Sequence, residues 1–274
     1  MKKWIFGLGI IFISISESLA SCTYYRDNCL TFTADAINDC GRGCTYTYED
    51  GTVYITTSEN NAKTNSAQFS PYSYDGNAYP SGFDVNHVII DGPIAFDDNT
   101  FTGANVTISG NDGVLTITKL GHHAFGDNAT LTGDIIIPSD ATFDSLAFYG
   151  VQLGENAKIY CAVENCAQKI IESCYTSEYP AYTSRCLAGM ESIVSDASQF
   201  EQAPKGCASF SAKGCSGCNS DYLSKNGGCV STSEGCGLGY KANDGICEAL
   251  RRIYTIDEAN AVAGKTNRVS IRYR

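Results

Sequence analysis

Histidine, methionine, tryptophan and proline are all scarce: three, two, one and six in 274 residues. Three histidines exclude a His-rich metal centre, and six prolines exclude a polyproline rod. Cations are outnumbered, 19 Lys+Arg against 30 Asp+Glu, for a net charge of −11. A nucleic-acid binder needs a basic face for the phosphates, so that class is excluded. Beyond the N-terminus no apolar run reaches the ~20 residues that span a bilayer, so no transmembrane segment is expected. Catalytic motifs are missing as well. There is no G-x-S-x-G, H-E-x-x-H, P-loop or EF-hand loop, so no cofactor and no enzymatic activity are expected.

Cysteine and glycine are abundant, with 14 and 27 copies. So much cysteine is foreign to an ordinary cytosolic protein. The N-terminus agrees with an oxidising destination. Lys2 and Lys3 precede the apolar stretch Trp4 to Ile15, and Ser18-Leu19-Ala20 supplies small residues for cleavage. This is the layout of a secretory signal peptide over residues 1–20. Leu19-Ala20-Ser21-Cys22 also reads as a lipobox, in which Cys22 carries the lipid. The cysteines form two even groups. Cys22, Cys29, Cys40 and Cys44 make the first. Cys161, Cys166, Cys174, Cys186, Cys207, Cys215, Cys218, Cys229, Cys236 and Cys247 make the second. Even groups suit local disulfides, and lipidation of Cys22 would orphan one thiol, so plain cleavage is favoured.

The middle of the chain repeats. Phe101, Phe125 and Phe148 stand 24 and 23 residues apart. Five positions before them stand Phe96, Leu120 and Phe143; one before, Thr100, Ala124 and Ala147; eleven before, the β-branched Ile90, Val114 and Ile137. Such a period predicts a stack of thin rungs. Val88–Ile90, Val114–Ile117 and Ile135–Ile137 are expected to form one edge of it. Cys44 to Ile55 reads as two strands about an Asp-Gly turn. Val106 to Ile117, with Gly110-Asn-Asp-Gly113 at its centre, allows a second hairpin, which would make the first rung irregular.

Leu120-Gly-His-His-Ala-Phe125, Leu131, Ile135-Ile-Ile-Pro138 and Phe143-Asp-Ser-Leu-Ala-Phe148 together resemble the BspA-like leucine-rich repeats of bacterial surface proteins. The resemblance covers about residues 44–161. It implies a short solenoid and adhesion or recognition at a bacterial surface. The rungs number only three, hold few leucines, and carry Phe96 and Phe143 where the family usually has isoleucine.

Further on, Cys218-x3-Tyr222-x6-Cys229 recurs as Cys236-x3-Tyr240-x6-Cys247. Loops this short and polar rely on crosslinks. They are similar to furin-like or growth-factor-receptor-type cysteine-rich segments. A zinc knuckle at Cys215-x2-Cys218 is disfavoured by the compartment and the missing histidines. Residues 250–274 hold six basic and two acidic residues in a β-α-β pattern. That tail either docks on the acidic body or binds an anionic envelope polymer; docking is preferred, because its apolar alternation is that of a folded unit.

The expected fold is thus mainly β. A signal peptide (1–20) and an N-terminal cysteine cap (21–48) precede a leucine-rich-repeat solenoid (49–160). A C-terminal cap and linker (161–206), cysteine-rich knuckles (207–249) and the small basic β-α-β unit (250–274) follow. Three positions before the anchors stand Asp98, His122 and Ser145. Stacking would bring them together in triad order, although a solvent-facing polar column suits the same residues. The expected role is a secreted or envelope binding module for a protein or glycan ligand. The alternatives are an exported glycan-processing or other hydrolase, or a purely structural envelope protein.

Overall fold

A computed structural model of the chain describes residues 38–66, 68–69, 85–126, 128–177, 179–226, 228–237 and 240–249. The leader expected at 1–20, Cys22, Cys29 and the unit expected at 250–274 lie outside the described residues. The chain is mainly β, with nineteen strands and two helices among those residues. No helix among them is long and apolar enough to cross a membrane.

Strands β1 (Asn38–Gly41), β2 (Cys44–Glu49) and β3 (Thr52–Thr57) form an antiparallel meander. Asp50 and Gly51, at φ 44° and 80°, make the turn between β2 and β3, where Asp-Gly tolerates positive φ. From here the chain alternates between two sheets. β4 (His87–Asp91), β6 (Asn105–Gly110), β8 (Asn128–Leu131) and β11 (Val151–Leu153) extend the first, all parallel. β5 (Ile94–Phe96), β7 (Val114–Leu120), β9 (Asp134–Ile137), β10 (Thr142–Phe143), β12 (Lys158–Cys161) and β13 (Phe200–Gln202) form the second, also parallel.

Alternation drives this arrangement. In β4, β6 and β8 every second residue is buried, so Val88, Ile90, Val106, Ile108, Ala129 and Leu131 line one interior. The Asp-Gly turn at 112–113 does not close a hairpin. β6 pairs with β4 and β8, while β7 pairs with β5 and β9. Residues 111–113 are therefore a corner between sheets. At that corner a Cβ on Gly110 would lie 1.9 Å from the Val114 carbonyl oxygen.

The anchor positions are in the core. Phe96, Phe101, Leu120, Phe125, Ala124, Ala147 and Thr100 are fully buried, Phe148 is 1% exposed, and Phe143 packs on the cluster half-buried. Leu120 pairs with Phe96 on one side and Phe143 on the other. Phe101 stacks on Phe125, with ring planes 5° apart. Phe69 stacks on the other face of Phe101, with centroids 5.6 Å apart. The aromatic column thus extends one layer toward the N-terminus.

One register needs correction. Ile90 lies in the first sheet, while Val114 and Ile137 lie in the second, and Val114 pairs with Asp134 rather than Ile137. Ile90 is offset because its rung enters the second sheet only at β5, and the offset of Val114 from Ile137 arises at Pro138. Proline lacks the N–H a ladder needs, so the rung breaks between β9 and β10, where β7 runs unbroken through the same positions.

Past the stack, α1 (Cys166–Ser173) and α2 (Pro180–Ser195) close over its end. Ile170, Cys186, Met190 and Ile193 face the main core. Disulfides Cys161–Cys166 and Cys174–Cys186 fasten them. A separate small core, including Ile136, Tyr160, Cys207 and Phe210, joins the hairpin β14 (Cys207–Ser211) and β15 (Gly214–Cys218) to the stack. A four-stranded sheet follows: β16 (Tyr222–Lys225), β17 (Gly228–Ser231), β18 (Tyr240–Asn243) and β19 (Ile246–Ala249). Cys40–Cys44, Cys207–Cys215, Cys218–Cys229 and Cys236–Cys247 complete the bridges, so every described cysteine is paired within its own group. The eighteen-residue repeat is visible in the last two pairs. Cys218–Cys229 spans the β16–β17 hairpin and Cys236–Cys247 spans β18–β19.

Candidate functional site

The turn before each anchor phenylalanine has one shape. Asn99, His123 and Leu146, two positions ahead of the anchors, are left-handed at φ 56°, 54° and 56°. That conformation is uncommon for any residue but glycine, and it is held here by the neighbouring rung. The Asn99 N–H donates to the His122 carbonyl at 2.9 Å, and the His123 N–H to the Ser145 carbonyl at 3.4 Å. The Leu146 N–H reaches the Ser173 carbonyl at the end of α1.

Stacking of these turns brings Asp98, His122 and Ser145 together. His122 Nδ1 lies 2.8 Å from Ser145 Oγ. Asp98 Oδ1, however, accepts the backbone N–H of His122 at 2.8 Å. In a hydrolytic triad the acid binds the imidazole and orients it; here it steadies the turn. Nearby, burial works to raise the Asp97 carboxyl. The hydrogen bond and charge of Lys63, with help from the Asp98 backbone and Ser66, outweigh it and hold Asp97 below the usual carboxylate value. Lys119 is raised, chiefly by its hydrogen bond to Asp144.

Beside that column runs a row of rings. His123 lies 4.9 Å from Tyr149 and 5.9 Å from Tyr182, the latter stacked with ring planes 5° from parallel. Tyr182 lies 5.0 Å from Tyr149 and stacks on Tyr179 at 5.4 Å. Arg185 donates to the Tyr149 hydroxyl at 3.1 Å and lies over its ring. Thr102 Oγ1 holds the His123 backbone carbonyl at 3.1 Å and lies 3.3 Å from Nδ1. Local sequence fixes the helical side of this row. Pro180 opens α2 at a position where no amide donor is needed, and the Cys174–Cys186 bridge clamps the helix to the end of α1. The core takes Cys186, Met190 and Ile193 from one stripe of α2, while Tyr182 on the first turn and Tyr179 just before the helix stay exposed.

Tyr175, Tyr179 and Tyr182 are 59%, 50% and 40% exposed. Among the described residues only Tyr54, Val114 and Ile246 are comparable exposed apolar side chains. Clustered exposed aromatics mark binding surfaces. Sequence reasoning placed His122 and Ser145 here but missed Tyr149, Tyr179, Tyr182 and Arg185. The signal was the density of tyrosine at 175, 179 and 182, of which only Tyr182 lies within α2.

The three sulfurs of Cys207, Cys215 and Cys229 lie within 4.8 Å of one another. All are in disulfides, so in this oxidised form they offer no thiolate to a metal. No family model matches the chain, and comparison with curated proteins and with solved structures found no similar protein.

Proposed function

We propose that this protein is an exported, non-catalytic binding module of a cell surface or envelope, and that the tyrosine and histidine row recognises a glycan. The observation that carries the reading is the exposed stacked pair Tyr179–Tyr182, which continues inward onto half-buried His123 and buried Tyr149 and is bordered by the polar groups of His122, Ser145 and Arg185. Rigid aromatic faces give sugar rings apolar contact at little entropic cost, and polar groups at the margin fix orientation. The scaffold is read as a short solenoid of the BspA-like leucine-rich-repeat kind. The two parallel ladders and the Phe69–Phe101–Phe125 column support that reading. The even, paired cysteines support export.

A glycan array probed with the oxidised chain tests the proposal. Binding to a defined set of glycans is expected, at least tenfold weaker in Tyr182→Ala and in Tyr179→Ala. An array without hits, or hits indifferent to both changes, removes the glycan reading.

The 2.8 Å approach of His122 Nδ1 to Ser145 Oγ favours a second reading, an esterase-like hydrolase. Labelling of Ser145 by a fluorophosphonate, lost in His122→Ala, would replace the first reading. An unlabelled Ser145 retires the second.

A further inference from the structure

At the junction of the stack and the cysteine-rich unit lies a cleft of about 480 Å³. Elements far apart in sequence build it: the start of α1, the segment after β13, and the 219–222 turn before β16. The joint is fixed by direct bonds. Ser139 donates its N–H to the Ala208 carbonyl at 2.8 Å and its hydroxyl to Asn219 Oδ1 at 2.8 Å. Gln202 locks the wall. Its Oε1 accepts the Cys166 N–H at 2.8 Å, and its Nε2 donates to the Cys161 and Val163 carbonyls at 3.1 and 2.9 Å. The Tyr222 ring packs so tightly on Gly206 that a Cβ there would lie 2.2 Å from it.

Two cations, Lys169 and Lys205, line this one concavity of a chain with net charge −11. Among the described residues the ion pairs are Arg42–Glu59, Lys63–Asp97, Lys119–Asp144 and Lys158–Glu201, so both cleft lysines are left without an acidic partner. One carboxylate, Glu164, shares the cleft. The ionic side chains there thus sum to a single positive charge. Asn219 has its oxygen engaged by Ser139, which leaves its NH2 as the group to offer. Asn165, with no side-chain bond to the α1 amides, adds a second amide.

We propose that this cleft is a binding site for a hydroxylated monocarboxylate, of which a hexuronic acid is the fitting class. One net positive charge matches one carboxylate better than a phosphate dianion. Amide donors and a fixed tyrosine suit hydroxyls and a ring. The site is separate from the tyrosine row and goes beyond the function proposed for it.

Calorimetry with free glucuronate and galacturonate, with glucose and glucose 6-phosphate as comparators, is the test. Uronate binding without glucose binding is expected. The double change Lys169→Gln, Lys205→Gln should weaken it at least tenfold, while Lys213→Gln, away from the cleft, leaves it unchanged. Glu164→Gln should tighten it and bring glucose 6-phosphate into range. Tyr182→Ala should leave it unchanged, which separates this site from the glycan-binding row. Absence of uronate binding, or binding that Lys213→Gln reduces as much as the cleft lysine changes do, overturns the proposal. Both lysines are exposed, so the variants keep the fold, and an unchanged melting temperature verifies it.

Discussion

Gly121 has no room for a side chain. A Cβ there would lie 2.6 Å from the Asp98 backbone nitrogen and 2.7 Å from the Asp97 carbonyl carbon. Backbone cannot yield as a flexible side chain can. Gly121→Ala should therefore cost about 1–3 kcal/mol, as overpacking does, and should part Asp98 from the His122 amide. Urea melts measure the first effect. An unchanged melt would mean that neighbouring turns do not touch. Asp97 gives a second prediction at this scale. Its carboxyl is held low in the folded state, mainly by Lys63 against the opposing effect of burial. A depressed carboxyl stabilises the fold above its unfolded value and loses that contribution as pH falls through the folded one. Stability should thus decline below about pH 4, and Lys63→Met should flatten that part of the profile. A decline equally steep in Lys63→Met would assign it to other carboxylates.

At the scale of elements, the phenylalanine column is the feature to break. Phe101 lies between Phe69 and Phe125 and is fully buried. Phe101→Ala and Phe125→Ala should each cost about 3–5 kcal/mol. From sequence alone the first rung looked irregular, and a smaller loss at Phe101 would have followed. The Phe69 ring removes that reason. A near-neutral melt for either variant would take the column out of the core.

What was legible here follows from physics. Phe96, Leu120 and Phe143 were in register because β5, β7 and β10 meet one interior. Ile90, Val114 and Ile137 misled, because β-branched residues suit either sheet and only Pro138 marks the break. Phe69 was hidden by its 32-residue distance from Phe101, which masks the period. The tyrosine row was hidden for another reason. It is assembled from two turns and a helix, and no linear pattern joins 123, 149, 179 and 182.

The molecule as a whole has two unequal cores. The main cluster runs from Cys40 to Phe200 and includes Phe69, Phe101, Phe125 and Phe148. The second is a handful of residues around Phe210, reaching only to Cys215 and Cys229. Beyond it the sheet of β16–β19 is mostly half-exposed or exposed and is held by Cys218–Cys229 and Cys236–Cys247. Reduction should thus act unevenly. With mild reductant, amides of 222–249 should exchange with solvent quickly while those of 105–137 stay protected, as segments of unequal stability do. Hydrogen exchange followed by mass spectrometry reads this directly. Simultaneous loss of protection in both segments would make the molecule one cooperative unit.

Every described disulfide closes between residues 4 to 12 positions apart. Such short loops each contribute only about 2–3 kcal/mol by chain entropy, so their placement says more about order of assembly than about final strength. In the exported chain proposed above, a cysteine emerging into an oxidising space meets its partner within the next dozen residues, before a distant competitor has appeared. From β4 to β12 each strand of the two ladders likewise finds its neighbour about one rung later. A chain delivered N-terminus first can close itself behind the point of entry. Its pairing is then proofread by arrival time rather than by a search among all cysteines at once.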